Sequence, residues 1–240
     1  MKKFMLLALA ALCVSAAQAV TIEWAGSKTG ITGNSDFPSF GLSEGETATI
    51  AASITYGAAG GGTIISFGKG TNQSRISVDV TPEGQYRLVA SSMDTNIGNQ
   101  EIESGKYATR NGTDVVSLHI DRKNPARPDT NATGRLMTVG LYVNGELIAE
   151  LNSGNYGDAT WPGIYTHDGD INWINIGCLV GGTDNYSGDH TIDAYYANET
   201  LSAADVYNAL KPETPDVPEP TALALLALGV AGLALKRKVA

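Results

Sequence analysis

The sequence of 240 residues predicts an all-β domain, built as an antiparallel sandwich of two sheets with a short helix near its C-terminal end. Three features support this prediction: stretches in which apolar and polar residues alternate, frequent turns that use many of the 28 glycines, and an Asn-Gly pair between two alternating stretches. Alternation with a period of two is typical of strands that bury one face. Many short strands at regular spacing are typical of sandwiches, so an antiparallel sandwich is expected.

The alternating stretches follow one another between residues 47 and 151. Pro82-Glu83-Gly84 forms a turn between two of them, and Asn144-Gly145 lies between the last two. Asn-Gly between two strands is the strongest short hairpin signal, because both residues tolerate the positive φ of a type I′ turn. The predicted strands are, in chain order, 47–56, 63–67, 76–80, 86–90, 116–120, 137–143 and 146–151.

A short helix is predicted after the last strand. Ser202 is placed as its N-cap, with Asp205 three residues further on in a pattern close to a capping box. Leu201 and Val206 have the spacing of a hydrophobic staple. The helix is expected to end near Leu210, because a proline follows at position 212.

Residues 1–19 have the three parts of a secretory signal peptide. Two lysines precede an apolar stretch over residues 4–14, and Ala17 and Ala19 are the small residues of a cleavage site. Signal peptidase is therefore an expected partner, and the mature chain is expected to begin at residue 20. Cleavage removes Cys13 and leaves Cys178 as the sole cysteine, which excludes an intramolecular disulfide.

The C-terminal end carries a second targeting signal. Residues 221–235 contain no charge and are followed by Lys236, Arg237 and Lys238, which are expected to stay on the cytoplasmic side of a membrane. A stable membrane span usually needs about 20 apolar residues. The apolar run is therefore marginal as a permanent anchor and suits a transient membrane helix.

Pro218, Glu219 and Pro220 precede this apolar run. A Pro-Glu-Pro motif, an apolar helix and a basic cluster, in this order at the C-terminus, resemble the PEP-CTERM sorting signal of Gram-negative bacteria. The resemblance implies that an exosortase, a membrane transpeptidase-like enzyme, reads residues 218–240 and removes the helix and the bases. An ordinary C-terminal membrane anchor is the alternative. Both interpretations place the domain outside the cytoplasm, at the cell surface, in the outer envelope or in an extracellular matrix, with residues 211–217 as a stiff, Pro-rich spacer.

The charge of the chain limits its partners. The sequence has 16 Lys and Arg against 25 Asp and Glu; without the two signal lysines and the three tail bases, 11 basic residues remain and the formal charge is near −14. Nucleic acids and anionic lipids require clustered bases for their phosphates, so neither is an expected partner. Neutral glycans and divalent cations remain compatible.

Two stretches resemble the laminin-G-like domains of the concanavalin A-like jelly-roll fold. One is Leu-Tyr-Val-Asn-Gly-Glu-Leu at 141–147, and the other joins Tyr-Ser-Gly at 186–188, an Ile-Asp pair at 192–193 and the predicted helix. The resemblance covers residues 20–210 in architecture and implies a two-sheet jelly roll. That fold hosts lectins, adhesion modules and glycanases alike, so it does not define a function.

No catalytic residues are expected, and the protein is predicted not to be an enzyme. Glycanases need two carboxylates at a defined separation on either side of a sugar. Glu101 and Glu103 have the local spacing but lie in a polar, loop-like stretch that is interpreted as a solvated edge. His119 is isolated, on the side of a predicted strand opposite Leu118 and Ile120.

Ligand-binding candidates concentrate between residues 161 and 186. Aromatic rings pack on the apolar faces of pyranoses, and the candidate carbohydrate-binding residues are Trp161, Tyr165, Trp173 and Tyr186. Carboxylate oxygens suit Ca²⁺, the one possible cofactor, and its candidate ligands are Asp168, Asp170 and Asp184. The alternative is that the tryptophans anchor the core and that the Asp and Gly clusters form turns.

Two functions therefore remain open. The first is an exosortase-sorted protein of the cell surface or matrix with a laminin-G-like domain that binds carbohydrate or mediates adhesion. The second is a structural envelope protein that accompanies exopolysaccharide and has no specific ligand. A glycoside hydrolase ranks third.

Overall fold

The computed structural model describes residues 21–43, 45–68, 75–91, 99–122, 138–152, 173–179 and 185–213. The predicted signal peptide and the C-terminal targeting signal lie outside these residues. In chain order the described elements are β1 (Gly26–Ile31), β2 (Ser35–Asp36), β3 (Thr47–Tyr56), β4 (Gly62–Gly68), β5 (Arg75–Val80), β6 (Gln85–Ser91), β7 (Asn99–Tyr107), β8 (Thr113–Asp121), β9 (Thr138–Val143), β10 (Glu146–Asn152), β11 (Trp173–Ile176), β12 (His190–Ala197) and α1 (Ala203–Leu210).

The strands form two six-stranded antiparallel sheets. The first sheet has the order β1-β12-β3-β8-β9-β10, and the second has the order β2-β11-β4-β5-β6-β7. The inward-facing apolar residues of both sheets form one continuous core, to which Ile50 and Leu118 contribute from the first sheet and Val78 and Leu88 from the second. The predicted all-β, two-sheet sandwich with one short helix is confirmed.

The Asn144-Gly145 turn is confirmed as the link between β9 and β10. Asn144 has a φ of 53° and Gly145 a φ of 81°, the two positive values that a type I′ turn requires. The side chain of Asn144 also accepts a hydrogen bond from the backbone N–H of Val115 at 2.8 Å. The turn is therefore tied to the start of the neighbouring strand β8.

Helix α1 packs on the outer face of the first sheet. Its Val206 is buried against Ala51 of β3 and Val115 of β8, and Leu201 packs against the same cluster, as the staple spacing predicts. Ser202 is the N-cap, with extended backbone angles, but its side chain makes no capping hydrogen bond. The predicted capping box is therefore wrong, and tertiary packing stabilises this short helix instead.

The stretch with Glu101 and Glu103 is not a loop. It forms part of β7, an edge strand of the second sheet, and both carboxylates are exposed. The interpretation as a solvated edge is confirmed, whereas the expectation of a loop is wrong. Charged residues are common on edge strands, because they prevent pairing with other molecules. None of the described helices is long and apolar enough to cross a bilayer.

Candidate functional site

The outer face of the second sheet is rich in polar residues. On β5 and β6 the inward positions are apolar, so the alternate positions point away from the core. Cross-strand pairing arranges these outward residues in three rows. The first row is Thr63, Asp79, Arg87 and Glu103, the second is Asn175, Ser66, Ser77, Val89 and Glu101, and the third is Trp173, Gly68 and Arg75.

The first row is held together by charged and polar contacts. Thr63 donates its hydroxyl to the Asp79 carboxylate at 2.8 Å. Arg87 lies 3.6 Å from Asp79 and donates to Glu101 at 2.8 Å, so one guanidinium bridges two acids. Burial raises the pKa of Asp79, against the opposing effects of hydrogen bonds from Thr63 and Ser77 and of the Arg87 charge.

A cleft of about 590 Å³ opens beside this row. Its walls include the charged pair Asp79 and Arg87, the turn residue Pro82, and Gly60 and Ser187 from two neighbouring segments. The cleft therefore combines an acceptor, a donor and apolar surface, the mixture that is typical of small-molecule sites.

Glycine makes the wall of the cleft possible. Gly60 has a φ of 137°, and a Cβ at this position would collide with the carbonyl oxygen of Ser187. Gly61 donates to the Ser187 carbonyl at 3.0 Å and accepts from the Ser187 N–H at 2.8 Å. The two segments therefore approach closely because the backbone at residue 60 carries no side chain.

Arg110 forms hydrogen bonds that hold this wall in place. Its guanidinium donates to the carbonyl oxygen of Gly60 at 2.8 Å and to the hydroxyl of Tyr186 at 3.1 Å. Tyr186, one of the candidate carbohydrate-binding residues, is 6% exposed and packs against the Tyr56 ring. Burial raises the pKa of the Tyr186 hydroxyl, and the structure places its ring beside the cleft wall rather than on the outer surface.

Trp173 is the candidate that lies on the outer face. It is 37% exposed, so it is not a core anchor, and its indole N–H donates to the side-chain oxygen of Asn175 at 3.0 Å. Asn175 is only 6% exposed, yet its Nδ2 has no acceptor in the described part of the protein. The Nε atoms of Arg75 and Arg87, on the same face, also have no hydrogen-bond acceptor in the described part of the protein. All three atoms are shielded from solvent within the protein, so the exposed indole of Trp173 is the part of this group that a ligand can reach.

The other predicted carbohydrate-binding and calcium-binding residues fall in parts of the chain that the structure does not describe. Trp161, Tyr165, Asp168, Asp170 and Asp184 lie outside the described residues. Within the described stretches, no three His, Cys, Asp or Glu side chains are grouped as a metal site.

Sequence reasoning missed Asp79, Arg87 and Arg110. Asp79 and Arg87 occupy outward positions of the hairpin β5–β6, which the alternation predicted. The register of that hairpin places the two residues opposite each other. Arg110 carries no local signal, because its partners are 50 and 76 residues away in the chain.

Residues 216–238 match the model of the PEP-CTERM protein-sorting motif. This match confirms the sorting signal that includes Pro218, Glu219 and Pro220. It indicates an exported, exosortase-sorted protein of the cell surface or the extracellular space. No curated protein sequence matches the chain at a significant level.

The fold is similar to a carbohydrate-binding module, the CBM40 of the Ruminococcus gnavus IT-sialidase. The structure of that module bound to α2,3-sialyllactose has a TM-score of 0.52 and 16% identity, and the match covers 78% of this chain and 100% of that chain. A second structure of the module gives a TM-score of 0.51 and 17% identity, with the same coverage. At this identity the similarity shows the jelly-roll fold alone, and the laminin-G-like assignment stays a prediction.

Proposed function

We propose that this chain is a surface or matrix protein whose sandwich binds neutral glycan chains on the outer face of the second sheet. The observation that carries the proposal is the exposed indole of Trp173. It lies on the same face of the sheet as the partly exposed charged pair Asp79 and Arg87.

The chemistry of this face suits a sugar. The indole offers an apolar surface to a pyranose ring, while the partly exposed guanidinium of Arg87 supplies donors to hydroxyl oxygens. Asp79 and Glu101 supply acceptors for hydroxyl hydrogens. Similarity to a carbohydrate-binding module adds support at the level of the fold.

A neutral glycan fits better than an anionic one. Arg87 is already neutralised by Asp79 and Glu101, and the chain has a net charge of −9. An anionic ligand would meet repulsion from this surface. The ligand named for the Ruminococcus gnavus module, sialyllactose, is therefore the natural contrast in a binding screen.

We propose binding without hydrolysis. Asp79 lines the cleft, and the guanidinium of Arg87 forms ion pairs with both Asp79 and Glu101. Hydrolysis requires two carboxylates with different roles on either side of the glycosidic bond. Because Asp79 and Glu101 both pair with Arg87, we expect them to position the hydroxyl groups of a bound sugar.

Calcium and cellular location complete the proposal. Asp168, Asp170 and Asp184 remain the candidate ligands for Ca²⁺. The sorting motif supports export with the help of an exosortase, and a signal peptidase and the outer envelope of a Gram-negative bacterium belong to the same proposal.

The test is a glycan array probed with the purified mature protein in Ca²⁺ and again in EDTA. Binding to a defined neutral glycan supports the proposal, and loss of that binding in EDTA supports the calcium site. Binding confined to sialylated glycans would overturn the neutral ligand class. A blank array in both buffers would overturn glycan binding and favour the structural envelope protein.

A further inference from the structure

The chain leaves the sandwich on the side of the first sheet. Helix α1 covers the outer face of that sheet, with its Tyr207 beside Gly145 of the β9–β10 turn. The helix ends where Lys211 donates its N–H to the carbonyl of Tyr207 at 2.8 Å. Glu213 is the last described residue, two positions beyond that point.

The sorting motif begins close to this exit. It starts at residue 216, and the uncharged run starts at residue 221, eight residue steps after Glu213, which an extended chain covers in at most about 29 Å. The uncharged run at 221–235 and the three bases after it direct the tail to a membrane. While the tail is attached, the chain therefore ties the α1 side of the domain to the membrane through a link of at most about 29 Å.

The candidate binding face lies on the other side of the sandwich. Asp79 and Arg87 point outward from the second sheet, and stacked sheets lie about 10 Å apart, with α1 forming a further layer on the far side. The tether and the cleft thus emerge from opposite faces of the same domain.

We propose that the face with α1 is turned towards the membrane while the tail is attached, and that the cleft is turned outward. Its partner is then a polysaccharide on the side of the domain away from that membrane, and binding does not wait for removal of the tail. The ligand rests on the proposed function, whereas the orientation rests on the position of α1 and of the motif.

Cysteine labelling tests the orientation without any glycan. Two variants of the full chain are made. Ala209→Cys places a thiol on the exposed side of α1, and Glu83→Cys places one next to the cleft residue Pro82. The native Cys178 is buried, and its labelling gives the background rate. The precursor is kept in the membrane by Glu219→Ala, and its mass is checked. A bulky, membrane-impermeant maleimide is then added to this precursor and, separately, to the protein released from the membrane.

The expected result is that position 83 reacts equally fast in both forms and that position 209 reacts several-fold more slowly in the precursor. Equal rates at position 209 in both forms, or slower labelling at position 83 in the precursor, would overturn the orientation.

Glycan binding supplies an independent check. The precursor and the released protein are expected to bind the best array ligand with the same Kd. A gain in affinity on release would contradict an outward-facing cleft. Failure of both forms to bind would overturn the proposed glycan ligand, and the labelling rates would still decide the orientation.

Discussion

The hydroxyl of Tyr86 donates to the carboxylate of Asp114 at 2.9 Å in the interior of the sandwich. Asp114 is 1% exposed and accepts three further hydrogen bonds, from the N–H and the hydroxyl of Thr109 and from the amide of Asn144. The hydroxyl of Tyr56 completes the cluster at 2.9 Å from that of Tyr86. One buried carboxylate thus joins the two sheets and the Asn-Gly turn.

Replacement of Tyr86 by Phe is expected to lower the free energy of unfolding by about 1–3 kcal/mol, because it leaves buried polar groups without a partner. Urea unfolding measures the change. Tyr107→Phe is the matched control, since Tyr107 is 58% exposed, and it is expected to have no measurable effect. Equal unfolding midpoints for the two variants would show that the buried cluster adds nothing to stability.

Gly60→Ala is expected to destabilise the protein by about 1–3 kcal/mol, because residue 60 has a φ of 137° and its Cβ would meet the Ser187 carbonyl. It should also weaken glycan binding, since it shifts the wall of the cleft. Gly33→Ala is the control, because a Cβ at residue 33 would have no neighbour within 4 Å. Thermal unfolding that ranks the two variants equally would refute this role of Gly60.

Acidification is expected to destabilise the folded state through His119. Burial lowers its pKa from 6.5 to about 4, beneath the stacked ring of Tyr142 at 4.3 Å between centroids. The unfolded chain therefore binds more protons between these two values, so stability is lost as the pH falls from 6.5 to about 4. His119→Phe keeps an aromatic ring in the stack, and its stability should fall less over this range.

Unfolding free energies of both proteins across this pH range, with pH 7.5 as the reference, measure the difference. Parallel curves for the two proteins would show that His119 does not titrate with folding.

The mature surface protein is expected to lack residues 221–240, because the confirmed sorting motif marks the tail for removal. Intact mass of the protein taken from the cell surface measures this directly, with the Glu219→Ala precursor as the reference for the uncut chain. A surface protein that retains Leu235 and the three bases after it would show that the tail is a permanent anchor.

Local patterns predicted most of the fold. The alternation over residues 47–56 matches β3, and the Asn144-Gly145 pair matches the turn, because period-two burial and positive φ are properties of neighbouring residues. The signal at the C-terminus was equally local, since its three parts follow one another directly.

The candidate site was less predictable because it is assembled from distant segments. Gly61 pairs with Ser187 across 126 positions of the chain, and nothing near either residue specifies the other. Trp173 was singled out by its residue type, whereas its exposure follows from the position of β11 in the second sheet. Tyr186 shares that residue class but lies in the interior, because Arg110 and Tyr56 enclose it.

A binding titration with Trp173→Ala tests the central claim most directly. The array's best neutral glycan is titrated into the wild-type protein, into Trp173→Ala and into Tyr107→Ala, which removes an exposed aromatic ring elsewhere on the protein. We predict that Trp173→Ala weakens the Kd about tenfold or more, equivalent to ~1.4 kcal/mol, and that Tyr107→Ala leaves it unchanged. An unchanged Kd for Trp173→Ala, with folding intact, would contradict the assignment of this face as the glycan-binding surface.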